Sequence, residues 1–178
     1  MTGFLRFAGI LNAAVWLGAA VFFALSIQPA VFSTEMMNLL GPKNYPYFSG
    51  SIALMLGDHF FHVEIVCGIL ALLHVLAERL YSGKSVQQLW LALLIASWVV
   101  ALLGGYWIRP KLKELHPRRY AVNLRPEERE AAADLFNAWH KAAQLGNLMV
   151  VAGVAVYLWR VANPPDPARF VSSAKFRH

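Results

Sequence analysis

The chain has 178 residues, of which 58% are hydrophobic and 15% charged, against averages of about 45–50% and 25% in soluble domains. That leaves too little polar surface for a soluble fold of this size, and the low charge and 13% aromatic content exclude disordered, collagen-like and low-complexity classes. The net charge of +6 is no nucleic-acid footprint, because the bases flank apolar segments, and the single cysteine, Cys67, excludes an intrachain disulfide and a Cys-rich zinc site.

A bilayer core about 30 Å thick calls for roughly 20 helical residues, and four segments reach that length. The first, 7–30, is uncharged, with Asn12 and Gln28 as its amides. Arg6 precedes it, yet it exceeds the roughly 7–15-residue apolar core of a signal peptide and is expected to be retained. The second, about 51–80, is apolar but carries Asp58, His59, His62, Glu64 and His74. The third, 87–108, is predicted to stop at Arg109 and Pro110, where a charged loop over 109–139 begins. Late in that loop Pro126, Glu127 and Glu128 suit a helix start, because proline fits the first turn and acids favour the positive end of the dipole. Ala132, Leu135, Phe136 and Trp139 recur at i, i+3, i+4 and i+7. One helix is therefore predicted over about 126–161, its first turns outside the bilayer or at its surface and its span at 140–161. A basic tail, 162–178, follows. The expected fold is an all-α, polytopic membrane four-helix bundle with a long amphipathic extension before the fourth span, as one domain without visible repeats.

Four spans place both termini on one face. Arg6, Arg79, Lys84, Arg160, Arg169, Lys175 and Arg177 fall on this first face; Lys43 and the bases of the long loop fall on the second. The two sets nearly balance. Arg6 precedes the first span and no base follows it until Lys43, so both termini are expected in the cytoplasm. Aromatic belts are predicted at Tyr81, Trp90, Tyr157 and Trp159 on the first face and at Tyr45, Tyr47, Tyr106, Trp107 and Trp139 on the second, with Trp16 and Trp98 packing between helices.

At about 100° per residue Asp58, His59 and His62 share one arc of the second helix near the second face. His140 lies at the same level on the fourth helix, and His116 in the loop. A bundle that brought His140 opposite His62 would offer a haem or transition-metal site. Interfacial solvation and proton or ion handling are the open alternatives. Glu64 lies on the other side of that helix and deeper, as a candidate for ligand or proton handling, carried protonated or hydrogen-bonded to Asn12 or Asn147. His74 and Glu78 form an i, i+4 pair expected to be solvated. Gly9, Ala13, Ala14, Gly18, Gly104, Gly105, Gly146 and Gly153 are expected to let helices approach closely.

The first helix, with Trp16, Gly18, Phe22, Phe23 and Pro29 followed by Phe32, and the fourth, with Phe136, His140 and Asn147, carry a pattern of aromatic and small residues with one His and one Asn. In these residues the chain resembles an uncharacterised family of small four-helix membrane proteins that includes the transmembrane protein associated with platinum-drug resistance. The resemblance implies the same topology over nearly the whole chain, marks those residues as family positions, and implies no activity. Asp58, His59 and His62 match nothing in its pattern. The functional expectation is a non-enzymatic integral membrane protein binding a ligand, metal ion or partner near the second face. The alternatives are a haem- or copper-binding redox protein using His59 or His62 with His140, and an accessory subunit of a larger membrane complex; the expected partners are the bilayer and a membrane protein or a second copy, with no nucleic acid.

Overall fold

A computed structural model describes residues 2–82 and 88–163; Lys84, Arg169, Lys175 and Arg177, with most of the basic tail, lie outside the described residues. All regular structure among them is helical: α1 (Thr2–Phe22), α2 (Gln28–Val31), α3 (Thr34–Leu40), α4 (Tyr45–Ser82), α5 (Gln88–Leu103), α6 (Arg109–Arg118) and α7 (Pro126–Ala162). Two five-residue π-helical turns, Phe23–Ile27 and Gly104–Ile108, join α1 to α2 and α5 to α6 without a break. Four continuous helical stretches, Gly3–Val31, Tyr45–Tyr81, Gln88–Arg118 and Pro126–Ala162, are long and apolar enough to cross a membrane.

Packing partners fix an up-down-up-down ring. Phe23 stacks on Phe60 with ring centroids 4.6 Å apart, Asn12 Nδ2 donates to the Cys67 carbonyl at 2.9 Å, and Gly9 lies against His74, so α1 and α4 run antiparallel. Gly68 faces Trp98 and Gly105 faces Phe61, which sets α5 antiparallel to α4, and Gly146 against Val100 with Gly153 against Ser97 does the same for α7 on α5. Arg6 Nη2 donates to the Ala162 carbonyl, closing the ring and placing the start of α1 beside the end of α7. Trp16, Ala71, Leu94 and Val154, from four different helices, meet in the central core, and Trp98 packs against them, so both mid-span tryptophans lie between helices.

Proline does not stop the third span as its sequence suggests. A proline ring clashes with the carbonyl four residues back and lacks the N–H that would bond it. For Pro29 and Pro110 those carbonyls belong to Leu25 and Tyr106, both inside π turns, where the backbone N–H of Gln28 bonds Phe23 and that of Arg109 bonds Gly104. The extra residue in each turn displaces the carbonyl from the ring, so the helix bends and continues. The expected loop over 109–139 accordingly becomes α6, a turn, and the start of α7. The I-Q-P of the first hairpin and the I-R-P of the second mark the same device twice, an internal repeat of element order that composition alone does not display.

At the second face α6 folds back on α7, burying Leu112, Leu115, Ala132 and Phe136 as a small core with Trp139 packed on it. Leu135 remains exposed, because the stripe facing α6 is narrower than the periodicity suggests. The start of α7 is held by Glu128, whose Oε2 accepts from the Arg125 N–H at 3.1 Å. A further helix, α3, arises where Ser33 Oγ accepts from the Met36 N–H at 3.2 Å, and it ends at Gly41, whose φ of 75° favours a residue without a Cβ.

Tyr157 departs from its predicted interfacial place: it is buried and its hydroxyl meets His74 Nδ1 at 3.0 Å. His74 is therefore spent on α7 rather than on Glu78. The glycines divide as well. A Cβ at Gly153 would overlap the Ser97 hydroxyl, whereas at Gly18 and Gly104 no atom lies within 4 Å. Gly153→Val is expected to cost about 1–3 kcal/mol by overpacking, read as a lowered thermal midpoint in detergent, while Gly18→Val leaves it unchanged. Equal shifts would contradict this packing.

Candidate functional site

The polar groups of α4 near the second face are organised by Arg109 rather than by histidine. Extending the third helix past its π turn brings the Arg109 guanidinium against Gly57, where a Cβ would overlap it. Its Nε and Nη2 reach Asp58 Oδ1 at 3.1 and 3.0 Å, and Nη2 also donates to the Leu54 carbonyl. Lys113, one turn along α6, meets Asp58 Oδ2 at 2.6 Å. Asp58 thus serves two cations from the neighbouring helix. Arg109 is also attracted by Glu64, which is 7% exposed on the inner side of α4.

Above this pair α6 presents His116, which is 2% exposed. Its Nε2 lies 2.9 Å from the Tyr47 carbonyl and 3.2 Å from Ser51 Oγ, with Gly50 leaving the space for its ring. Since a carbonyl only accepts, Nε2 carries the proton and Nδ1 faces the interior without a partner. Phe136 touches both His116 and His140: the His116 and Phe136 centroids are 5.8 Å apart, and His140 stacks on Phe136 at 6.0 Å and 9°. Arg119 covers Phe136 and Tyr120, its guanidinium carbon 4.1 and 4.7 Å from the two ring centroids.

Of these residues Glu64, Arg109, Arg119, Phe136 and His140 border a cavity of about 940 Å³ that reaches all four long helices, at the upper end of the range of about 300–1,000 Å³ for small-molecule pockets. Both π turns contribute to it, through Phe23, Ala24 and Leu25 and through Gly104, Gly105 and Ile108. Its wall is apolar apart from a few groups: Glu64 within the bundle, Arg109, Arg119 and His140 toward the second face, and the amides of Gln28, Asn137, Gln144 and Asn147. Leu25, Leu103, Leu145 and Leu148 line it and are exposed on the bundle's outer surface, so its mouth opens sideways onto the face that lipid would cover.

The grouping of Asp58, His59, His62 and His140 does not form. Among the described residues no cluster of three or more His, Cys, Asp or Glu side chains stands ready for a metal. Asp58 is occupied by Arg109 and Lys113, His59 is exposed, and His62 turns its Nδ1 to the Asp58 carbonyl at 2.7 Å on its own helix. His62 lines a separate shallow cavity of about 560 Å³ between α1 and α4, while His140 lines the large one. The shared helix arc is real, but its members find different partners: Asp58 turns to the third helix and His62 to its own backbone. Glu64 likewise is not bonded to Asn12, whose amide is taken by Cys67. Asn147 shares the large cavity with Glu64 and has a buried Oδ1 without a partner. Trp16, fully buried, turns its indole toward Glu64, though the contact falls short of full hydrogen-bond geometry.

Arg109, Lys113, Arg119 and Tyr120 were hidden in sequence by the assumption that the third helix ends at Pro110. The signal that would have found them is Arg109 itself, a base fused to the end of an uncharged span and in need of a carboxylate at the same level. Asp58→Asn is expected to destabilise the protein by about 1–3 kcal/mol, the smaller part of the range reflecting the partial exposure of Asp58. An Asp58→Asn/Arg109→Gln double variant should lose less than the sum of the single changes in detergent melting; strict additivity would contradict the pairing.

The first-helix and fourth-helix residues that carry the family resemblance converge on this cavity: Phe23, Phe136, His140 and Asn147 line it, Trp16 stands behind Glu64, and Pro29 follows the π turn. Phe22 instead faces outward. Searches among curated proteins and among solved structures each found no match. The family model for a domain of unknown function, DUF4149, matches residues 11–121, which spans α1 to α6 and leaves Phe136, His140 and Asn147 outside the matched part. The chain belongs to the DUF4149 family of uncharacterised domains.

Proposed function

We propose that the protein is a non-enzymatic integral membrane protein that admits an apolar or amphipathic ligand from the bilayer into the cavity between its π turns. The observation that carries this reading is the combination of volume, apolar wall and sideways mouth, with a small set of polar groups gathered at one end. Ligand sites have this composition, a mostly apolar lining with a few polar groups that set orientation. Discontinuities such as π turns concentrate at functional positions in helices, and both of those present border the same space. The comparisons support the family of uncharacterised domains alone and nothing in them links the chain to platinum-drug resistance, so that resemblance contributes nothing to this reading.

Ala143, partly buried in the wall, offers a direct test. Ala143→Trp fills part of the cavity from the α7 side. Native mass spectrometry of protein released from membranes in mild detergent should show an adduct of lipid mass on the wild type. The variant should retain at least about tenfold less, a loss of ~1.4 kcal/mol of binding. Equal retention by a folded variant would refute ligand entry at this site.

The orientation proposed with this reading keeps both termini in the cytoplasm, from Arg6 before the first span. A cysteine placed at Lys43 should then label from outside intact cells and one at Asn163 only after permeabilisation, with the reverse pattern inverting the topology.

A further inference from the structure

Among the charges in the cavity wall, Arg119 is left without a counter-ion. Arg109 is held by Asp58 and by the Leu54 carbonyl, and Glu64 lies in the field of Arg109. No carboxylate comes within 4 Å of Arg119 among the described residues. Its Nη2 donates to the Tyr120 hydroxyl at 2.8 Å, which in turn donates to the Pro46 carbonyl at 3.0 Å, while Nε is buried with no partner. A guanidinium carries five N–H donors in a fixed plane. Here the rings of Phe136 and Tyr120 hold that plane and leave donors unused.

From this we infer that the cavity selects anionic amphiphiles, whose carboxylate or phosphate head is received by Arg119 beside His140 and whose chain lies along the apolar wall toward the π turns. The inference rests on the ligand-binding reading above and adds the sign of the head group. Three features favour an anion. A partly desolvated guanidinium gains most from a planar or tetrahedral oxyanion that can take two of its N–H groups. In the cavity wall two cations, Arg109 and Arg119, stand against one carboxylate, Glu64, and Asp58 outside the wall is already shared by Arg109 and Lys113. The aromatic and tyrosine contacts fix the Arg119 fork in advance, so little side-chain freedom is lost on binding. The one acidic group in the wall, Glu64, lies within the bundle, where it would meet the chain of such a ligand rather than its head.

The test uses the purified full chain and three amphiphiles of equal chain length: palmitate, the uncharged hexadecanol and the cationic hexadecyltrimethylammonium, each competed against a spin-labelled fatty acid. Palmitate should bind at least about tenfold tighter than hexadecanol, the scale of one charge-assisted hydrogen bond. Arg119→Gln should erase that preference without weakening hexadecanol, and Arg119→Lys should keep part of it. Acetate should not compete, since it lacks the chain; competition by acetate would assign Arg119 to free anions and overturn the amphiphile. If palmitate and hexadecanol bind alike, the anionic preference falls while the cavity reading stands. Tighter binding of the ammonium amphiphile, lost in Glu64→Gln, would move the head to Glu64 and overturn the proposal. Should Arg119→Gln fail to fold, the ranking of the three amphiphiles on the wild type decides the matter. Failure of every amphiphile to bind would overturn the cavity reading with it.

Discussion

A guanidinium at the end of an uncharged membrane-length helix has to be neutralised where it enters the bundle, and the pairing of Arg109 with Asp58 meets that requirement. An isolated charge in such a place is costly, and the cost falls only when the partner, its geometry and the remaining donors are all provided. Gly57 gives the guanidinium room, Asp58 takes two of its nitrogens, Leu54 accepts from the edge, and Lys113 balances the second carboxylate oxygen. This one arrangement ties the third span to the second. It also sets the direction in which α6 leaves, and so where His116, Arg119 and Tyr120 come to lie.

The two π turns are the backbone counterpart of that electrostatic tie. Each precedes a proline, each lets the helix bend without ending, and each adds residues to the wall of the same cavity. Close helix contact and open space therefore alternate along the bundle. Gly9, Gly68 and Gly153 bring backbones against side chains in the half nearer the termini, where Trp16 and Val154 complete the core. Toward the second face the cavity, bordered by Phe23, Phe136 and His140, lies beside further close contacts of Gly57 with Arg109 and Gly105 with Phe61.

Much of the architecture was legible in sequence because membrane burial writes itself as length and absence of charge. The four spans, the continuous α7 and the inward tryptophans Trp16 and Trp98 follow from that rule alone. The site was less legible, since its residues are defined by partners on other helices. Asp58 and His62 share a helix arc, as their spacing requires, but spacing does not reveal that Arg109 and Lys113 claim Asp58 or that His62 turns to the Asp58 carbonyl. Tyr157 resembles an interfacial belt residue until the neighbouring His74 draws its hydroxyl inward. Pro110 reads as a helix end because an interior proline loses a backbone hydrogen bond and clashes one turn back, and spacing does not show that a π turn absorbs this cost. Glu64, by contrast, was visible as an acid that sits badly in its span, and it is buried at the cavity as its depth implies.

The proposed role requires that lipid chains enter the space between the π turns. Photo-crosslinking in membranes with a phospholipid bearing a diazirine at mid-chain, followed by mapping of the modified residues by mass spectrometry, addresses this most directly. Adducts should concentrate on Leu103, Ala143, Gly146 and Asn147, which line the cavity. Adducts spread evenly over outward positions such as Leu73, Leu76 and Leu80, with none on the cavity wall, would contradict it.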